Sequence, residues 1–468
     1  MKTKHTSLVA AWVAAFALWF AIPPAGGQPF VNSGVPIPIG VGYQGSAVWG
    51  DYDNDGRLDV LITGQTEGIP RSIAQVWRNT GSAFVDINAG LPENYYGSAA
   101  WGDYDNDGRL DILMAGYTGS NYVAGVWRNT GSGFTNVPIP GLVGTLTGTV
   151  AWGDYDNDGR LDFLLTGWTG SSHVSQVWRN TGSAFTNINA GLTGVSGPAA
   201  WGDYDNDGRL DILLTGVTNS FGTRVSQLWR NTGTGFTHVP IPGLPEAQEG
   251  SVAWGDYDND GRLDFLLTGW DNHVNHYCQV WRNTGNTFTN VPIPGLPGIR
   301  DGSAAWGDYD NDGRLDILLA GYPGPITQVW RNTGDTFTNV PVPGLQGIGQ
   351  CSVAWGDYNN DGRLDILIAG NNASNLRITQ IWRNTAAVAN TPPPAPSGLI
   401  ATALNRGAML SWNAPADAQT PASGLSYNVR VGTAPGSWNI LSPQGWPATN
   451  YLRVAALGNA QQGLTALI

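Results

Sequence analysis

The sequence predicts an all-β protein whose main part is a seven-bladed β-propeller. Charged residues make up only 13% of the 468-residue chain and glycine is very common at 65 residues, as in turn-rich β-proteins. A WGDY motif recurs seven times, with intervals of 52, 51, 49, 53, 52 and 49 residues between its tryptophans. In addition, the two ends of this array each hold part of one repeat.

Each repeat is predicted to contain four short strands, which is the number in a propeller blade. In the second repeat these strands are residues 97–101 (GSAAW), 111–115 (DILMA), 126–128 (VWR) and 134–139 (FTNVPI). An acidic loop separates the first two strands, and an NTG turn separates the last two. The period of about 50 residues also agrees with a blade.

The ends of the array predict that the blades close into a ring. The last repeat stops after residues 381–385 (IWRNT) and lacks the fourth strand, whereas residues 29–38 (PFVNSGVPIP) supply such a strand ahead of the first repeat. Pairing of these two segments would place both ends of the array in one blade and remove exposed sheet edges. An open solenoid, the alternative, would need capping repeats, and the sequence shows none.

Residues 1–27 are predicted to be a secretory signal peptide. Lys2 and Lys4 precede an apolar run over residues 8–22, and small residues follow at 25–27. The alternative is a membrane anchor, but the run is shorter than the about 20 residues of a typical span. No later segment is apolar enough to cross a bilayer, so we expect an extracellular or cell-surface protein without a membrane span after signal removal.

After the repeats, which span residues 28–386, the composition changes. Residues 387–396 form a Pro-rich linker, and residues 397–468 alternate apolar and polar positions like the strands of a β-sandwich. Trp412 and the strand that begins at Tyr427 resemble the first half of a fibronectin type III domain. The segment is shorter than the about 100 residues of such a sandwich. A truncated domain and an atypical one both remain open.

The two cysteines of the chain are predicted to be free. Cys278 and Cys351 fall in non-neighbouring repeats. A disulfide needs Cα atoms within about 7 Å, so we expect two buried thiols. A feature other than disulfides must then stabilise the extracellular chain.

Acidic residues are concentrated in the repeated loop DYDNDGRLD. Its seven copies hold 27 of the 36 acidic residues of the chain, whose formal net charge is −13. The acids occupy positions 1, 3, 5 and 9, and glycine occupies position 6, where a sharp turn needs positive φ. The main-chain carbonyl of the arginine at position 7 is a further candidate ligand. Each loop is therefore predicted to bind one metal ion.

The candidate metal ligands are the residues at positions 1, 3, 5, 7 and 9 of the seven loops. In the first four copies they are Asp51, Asp53, Asp55, Arg57, Asp59, Asp103, Asp105, Asp107, Arg109, Asp111, Asp154, Asp156, Asp158, Arg160, Asp162, Asp203, Asp205, Asp207, Arg209 and Asp211. In the last three they are Asp256, Asp258, Asp260, Arg262, Asp264, Asp308, Asp310, Asp312, Arg314, Asp316, Asp357, Asn359, Asp361, Arg363 and Asp365.

Oxygen ligands in this number favour Ca²⁺, whereas Mg²⁺ keeps several waters and Zn²⁺ prefers His or Cys. The EF-hand loop begins in the same way but requires Glu at position 12, where the first copy has Ile62. An Asp-rich turn without metal is the alternative, but four carboxylates within about 4–5 Å repel by several kcal/mol per pair. We therefore expect up to seven Ca²⁺ ions, with a weaker site at Asn359.

These motifs closely resemble the FG-GAP/VCBS repeat family, whose blades also form the head of integrin α chains. The resemblance covers residues 29–386 and rests on the D-x-D-x-D-G-x-x-D loops. It implies a β-propeller with calcium bound between the first two strands of its blades. Family members include adhesion proteins, lectins and accessory domains of surface or polysaccharide-degrading enzymes, so the resemblance implies no single ligand.

A ligand is expected on the face opposite the metal loops. The metal loops and NTG turns share one face and hardly vary, whereas the connections on the other face differ between copies. Four copies carry an aromatic residue after the second strand, and the fifth copy adds three candidates in the next connection. The candidate ligand residues are Tyr117, Trp168, Trp270, Tyr322, His273, His276 and Tyr277. Packing of these rings between blades is the alternative interpretation.

Three functions are compatible with these patterns. The favoured one is a secreted or cell-surface adhesion module, expected to be a monomer, that binds carbohydrate or an extracellular protein. The second is a scaffold or an accessory domain of an extracellular polysaccharide-degrading enzyme. The third, a hydrolase or lyase, would need a cleft around His273, His276 and Tyr277, and the sequence shows no nucleophile motif. No basic cluster indicates nucleic-acid binding.

Overall fold

The computed structural model describes residues 29–42, 44–68, 71–271, 274–386, 391, 393–403, 408–429, 431 and 464–467. The predicted signal peptide, residues 1–27, lies outside these residues, as does most of the chain beyond 431. The described chain is almost entirely β, with one short 3-10 helix, η1 (Ala422–Gly424). In this part of the chain no helix combines the length and apolar character that crossing a membrane requires.

The described strands form repeated antiparallel sheets, mostly of four strands, and we refer to the sheet of each WGD motif as units 1 to 7. Ahead of them lies β1 (Phe30–Asn32). Units 1 and 2 contain β2 (Ala47–Gly50), β3 (Asp59–Gln65), β4 (Ser72–Asn79), β5 (Phe84–Asp86), β6 (Tyr95–Gly102), β7 (Asp111–Tyr117), β8 (Tyr122–Asn129) and β9 (Phe134–Val137). Units 3 and 4 contain β10 (Val150–Gly153), β11 (Asp162–Trp168), β12 (His173–Asn180), β13 (Phe185–Asn187), β14 (Ala199–Gly202), β15 (Asp211–Val217), β16 (Arg224–Asn231) and β17 (Phe236–Val239).

The remaining units follow the same order of strands. Units 5 and 6 contain β18 (Val252–Gly255), β19 (Asp264–Trp270), β20 (His276–Asn283), β21 (Phe288–Val291), β22 (Arg300–Gly307), β23 (Asp316–Tyr322), β24 (Ile326–Asn332) and β25 (Phe337–Val340). Unit 7 contributes β26 (Ile348–Gly356), β27 (Asp365–Asn372) and β28 (Arg377–Asn384). A separate three-stranded sheet follows, made of β29 (Ser397–Ala403), β30 (Ala408–Asn413) and β31 (Thr465–Leu467).

The N-terminal strand β1 is the fourth strand of unit 7. It pairs antiparallel with β28, with Phe30 opposite Asn384, as Phe84 of β5 lies opposite Asn79 of β4 in unit 1. Phe30 is fully buried, and its ring centre lies 5.9 Å from that of Trp355. This pairing confirms the prediction that residues at the N-terminal end of the array supply the strand that the last repeat lacks.

Neighbouring units touch at the residues that precede or begin each first strand. Ile326 of unit 6 pairs with Ile348 of unit 7, and this single pair joins the two units into one eight-stranded sheet. An equivalent bridge joins the start of the array to unit 7, between Val41 and Ile378. The repeated four-stranded sheets and these contacts agree with a β-propeller.

The hydrophobic core lies between successive sheets. One cluster joins Leu61 of unit 1 to Trp101 and Ile112 of unit 2, and each second strand has six consecutive buried residues or more. The glycine that follows the tryptophan of each WGD motif allows successive sheets to lie close together. A Cβ at Gly50 would lie only 2.5 Å from Cδ1 of Trp101.

Outside the repeats, Trp412 packs edge-on against Tyr427 with 5.5 Å between ring centres, and both are buried with Leu425. The fibronectin type III-like identity of residues 397–468 stays a prediction. The predicted state of the cysteines is confirmed, because Cys278 and Cys351 are both free and buried.

Candidate metal centres

The loop between the first two strands of each unit is folded around its own carboxylates. In unit 1, Asp51 accepts hydrogen bonds from the main-chain N–H groups of Asp55 and Gly56, both at 3.0 Å. Asp59, at the start of β3, accepts one from the N–H of Asn79 at 2.7 Å. Gly56 has a φ of +86°, as expected for the sharp turn at position 6.

Three of the four predicted carboxylates converge in each of several units. One carboxylate oxygen from each of Asp51, Asp53 and Asp59 lies within 4.8 Å of the other two, and the same positions converge in units 2, 3 and 4. In unit 5 the converging residues are those at positions 1, 3 and 5. These groups offer only oxygen atoms, which is the donor set of a hard divalent cation.

Asp53 provides the observation that fits a metal ion best. Its Oδ2 lies 2.6 Å from Nε of Arg78, but its Oδ1 is buried and has no hydrogen-bond partner. The equivalent Oδ1 atoms are also buried and without a partner in Asp105, Asp156, Asp258 and Asp310. Buried carboxylate oxygens are normally paired. A cation at the converging group would pair with them.

The side chain at position 5 of unit 1 faces arginines. The carboxylate of Asp55 contacts the guanidinium of Arg57, and its Oδ2 lies 3.3 Å from Nη2 of Arg78. Arg57 also donates from Nε to the carbonyl of Asn79 at 2.9 Å, which ties the loop to the turn after β4. Four carboxylates and two arginines leave each such loop with two negative charges, the charge that one divalent cation balances. The carbonyl ligand at position 7 stays a prediction.

Burial raises the pKa of the innermost carboxyl groups. The pKa of Asp59 is raised to about 8 and that of Asp51 to about 6, mainly because desolvation disfavours the charged form. The pKa is raised to about 8 or 9 at the residues equivalent to Asp59, which are Asp111, Asp162, Asp211, Asp264, Asp316 and Asp365. A bound cation would favour the charged forms.

The seventh loop keeps the fold but has one carboxylate fewer. Asp357 accepts hydrogen bonds from the N–H groups of Asp361 and Gly362 at 3.0 and 2.8 Å, as Asp51 does in unit 1. Asn359 donates from Nδ2 to Oδ2 of Asp361 at 3.2 Å, and Oδ1 of Asp361 is the buried oxygen without a partner. This loop therefore offers a cation less negative charge.

Neighbouring loops are joined directly by the asparagine at position 4, which the sequence analysis missed. Its Nδ2 donates to the carbonyl of the glycine at position 6 in the next loop, for example from Asn54 to Gly108 at 2.8 Å. The bond recurs in all seven units, and these asparagines have left-handed φ values between 55° and 59°. The signal was present, since an asparagine recurs at position 4 of every copy.

The predicted ligand residues of the opposite face make contacts of their own. The ring of Tyr117 lies 5.2 Å from that of Tyr122, and its hydroxyl donates to the carbonyl of Gly119 at 2.8 Å. The ring of Trp168 lies 4.7 Å from that of His173. Packing of these rings is therefore observed, although both remain partly exposed.

The candidates in units 5 and 6 are only partly brought together. Trp270 stacks on His276 with ring centres 6.0 Å apart, and Arg300 lies 4.9 Å from Trp270 and 6.0 Å from Tyr322. Tyr277 follows His276 in β20, so the two side chains point to opposite faces of the sheet. The remaining candidate, His273, lies outside the described residues.

Comparison with known families identifies the repeats. Residues 51–114, 103–165, 216–267, 269–319 and 308–368 match the FG-GAP-like repeat, and the chain belongs to this family. The predicted family is thereby confirmed. None of the curated proteins compared with the chain is significantly similar to it.

Solved structures show more distant likenesses. The chain is similar to an exotype rhamnogalacturonan lyase, with 12% identity, a TM-score of 0.45 and 76% of each chain covered. It is also similar to a Photorhabdus luminescens Tc holotoxin pore, with 18% identity, a TM-score of 0.31, and 70% and 17% of the two chains covered. For a protein from Lactobacillus plantarum the identity is 10%, the TM-score 0.41, and the coverage 70% and 89%. None of these likenesses bears on function.

Proposed function

We propose that the seven units close into a seven-bladed β-propeller in which unit 7 packs against unit 1. Three contacts between these units support the proposal. Asn360 donates to the carbonyl of Gly56 at 2.6 Å, and Asn79 donates to that of Tyr358 at 2.9 Å. A Cβ at Gly356 would lie 2.6 Å from Cδ1 of Trp49. The same three contacts join units 1 and 2.

The metal in the loops is Ca²⁺, with up to seven ions per chain. Support comes from the oxygen-only donor sets, the buried Oδ1 of Asp53 and its equivalents, and the two negative charges of a loop. The ions act as structural elements. Each loop is bonded to its neighbours, and a bound cation stabilises the folded form by about 2.7 kcal/mol when its concentration is 100 times its dissociation constant.

The protein acts as a secreted or cell-surface adhesion module, a monomer that binds carbohydrate or an extracellular protein. The observation that carries this proposal is the difference between the two faces. The loop carboxylates of the metal face accept main-chain hydrogen bonds or pair with arginines. The variable face instead presents Phe221 and Val274, which are 97% and 80% exposed. Exposed variable loops on a rigid scaffold are typical of binding sites.

Binding rather than catalysis is the proposed activity. The carboxylates at positions 1 and 9 accept main-chain hydrogen bonds, and those at positions 3 and 5 of units 1 to 6 pair with arginines, so none is placed as a general acid. A second candidate is a scaffold or an accessory domain of an extracellular polysaccharide-degrading enzyme. The packing of Tyr117 on Tyr122 and of Trp168 on His173 favours it.

An array of glycans and extracellular matrix proteins, probed with the secreted full chain, tests this function. We expect binding to at least one carbohydrate or protein in the presence of Ca²⁺ and its loss after chelation. Binding to neither class, by protein whose melting curve shows that it is folded, would overturn the adhesion function and favour the scaffold.

A further inference from the structure

A cavity of about 660 Å³ lies where the chain enters the first strand of each of the seven units. We call it the axial cavity. Its lining includes one tripeptide from each unit, namely residues 44–46, 96–98, 147–149, 196–198, 249–251, 301–303 and 350–352. The volume is within the range of small-molecule sites. The cavity lies at the ends of the strands opposite the metal loops.

The backbone of this lining is unusual. Six of the seven tripeptides begin with a residue that is not glycine and yet has a left-handed φ of 46–52°, namely Gln44, Tyr96, Thr147, Glu249, Asp301 and Gln350. Such a conformation costs about 1–2 kcal/mol per residue, and residues held in it cluster at functional sites. In units 2, 6 and 7 these residues lie at β-bulges, which redirect side chains.

The charged residues of the lining are confined to one sector. They are Glu249, Arg300 and Asp301, from the segments that open units 5 and 6. Both oxygens of Asp301 are engaged, one with Nη1 of Arg300 at 2.6 Å and the other with Nε2 of Gln44 at 3.0 Å. The guanidinium of Arg300 also lies 4.9 Å from the ring centre of Trp270. Asp301 and Arg300 therefore form a fixed, neutral pair.

Glu249 is the remaining charged residue of the lining, and its carboxylate can accept hydrogen bonds. Nε1 of Trp270 donates to its Oε2 at 2.7 Å, which holds the carboxylate in one orientation. The side chain stays exposed to the solvent in the cavity. Ser251 and Ser303 also line the cavity beside Glu249.

We propose that the axial cavity binds the end of a neutral carbohydrate, with Glu249 accepting hydrogen bonds from its hydroxyl groups and Trp270 holding Glu249 in position. This proposal rests on the proposed binding function and gives it a site and a ligand class. The hydroxyl groups of a sugar donate hydrogen bonds, and a fixed carboxylate is a strong acceptor of such bonds. A uronate would place a second negative charge near Glu249, and the arginine that lines the cavity there, Arg300, is already paired with Asp301.

Ligand-detected NMR and calorimetry with the secreted full chain test the proposal. The probes are the methyl glycosides of glucose, galactose and mannose, and that of galacturonic acid. The variant is Glu249→Gln, which keeps the shape of the side chain. The matched control is Glu246→Gln, an exposed residue of the same segment that does not line the cavity. We expect at least one neutral glycoside to bind and Glu249→Gln to weaken it about tenfold or more.

A second variant, Trp270→Phe, keeps the aromatic ring and removes the N–H group that holds Glu249. We expect it to weaken the same glycoside by a smaller factor, while the melting temperature of all variants stays near that of the parent. Unchanged binding in Glu249→Gln, or equal binding of the galacturonoside, would overturn the proposal. A protein ligand on the array without any bound glycoside would also overturn it and leave the adhesion function standing. If neither a protein nor a carbohydrate binds, both the axial-cavity proposal and the adhesion function are overturned.

Discussion

Asn360 donates a hydrogen bond from Nδ2 to the main-chain carbonyl of Gly56 at 2.6 Å, across 304 residues of sequence. This bond joins the loop of unit 7 to that of unit 1. The six other loops make the same bond to the next loop, at 2.7–3.2 Å. The contact between the last and first units is therefore equivalent to the contacts between units that follow each other in sequence.

Asn360→Ala tests whether this contact stabilises the fold. Its removal leaves a carbonyl without its partner, so we expect the free energy of unfolding in urea to fall by about 1–3 kcal/mol. Asn54→Ala is the matched control, because it removes the same bond between units 1 and 2 and the same left-handed asparagine. If only Asn54→Ala is destabilising, units 7 and 1 are not closed against each other.

Gly356→Ala tests the packing of unit 7 on unit 1 in a different way. The new Cβ would lie 2.6 Å from Cδ1 of the buried Trp49, and overpacking of this kind costs about 1–3 kcal/mol. We expect a lower melting temperature. Gly68→Ala, where a Cβ meets open space, should stay close to the parent. Equal melting temperatures for the two variants would contradict the close packing of Gly356 on Trp49.

Cys278 and Cys351 should be chemically inert in the folded protein. Burial raises the pKa of both thiols to about 12, so almost no thiolate forms at pH 9, and the buried sulfur atoms are shielded from reagents. We expect no reaction with Ellman's reagent between pH 7 and 9. In guanidinium chloride the pKa returns to its usual value and two thiols per chain should react. Rapid reaction of either thiol in the native protein would contradict its burial.

Asn359 should make the seventh metal loop weaker than the others. Asn359→Asp restores the carboxylate of position 3, and we expect calorimetry to show one additional tight Ca²⁺ site. Asp53→Asn is the converse change in unit 1 and should convert one tight site into a weak one. If Asn359→Asp leaves the titration unchanged, position 3 does not contribute a ligand.

The repeat, the acidic loop with its converging carboxylates and the origin of the fourth strand of unit 7 were predictable, since each depends on residues that recur in the sequence. Phe30 pairs opposite Asn384 as expected because the permuted segment keeps the pattern of the other fourth strands. Contacts between units were harder to predict. Gly50 and Trp101, which lie in close contact, are about one repeat apart in the sequence. Such a contact produces no periodic hydrophobic pattern within a single strand.

The opposite face was predicted only in outline. Residues after the second strand were expected to present aromatic faces, but Trp270 is instead fixed between His276, Arg300 and Glu249. Glu249 itself was not singled out, because it lies in a connection that differs in every copy. The significance of Glu249 became visible only in the structure, where seven such connections meet at one cavity.

A count of bound calcium ions combined with a melting curve tests most directly whether metal ions stabilise this fold. The full-length protein would be stripped with a chelator, titrated with Ca²⁺ and weighed by native mass spectrometry. We predict seven ions per chain, the last with lower affinity, and a melting temperature that falls on chelation and recovers when Ca²⁺ is returned. A chain that takes up no Ca²⁺ and melts at the same temperature throughout would contradict the proposal that metal ions stabilise this ring.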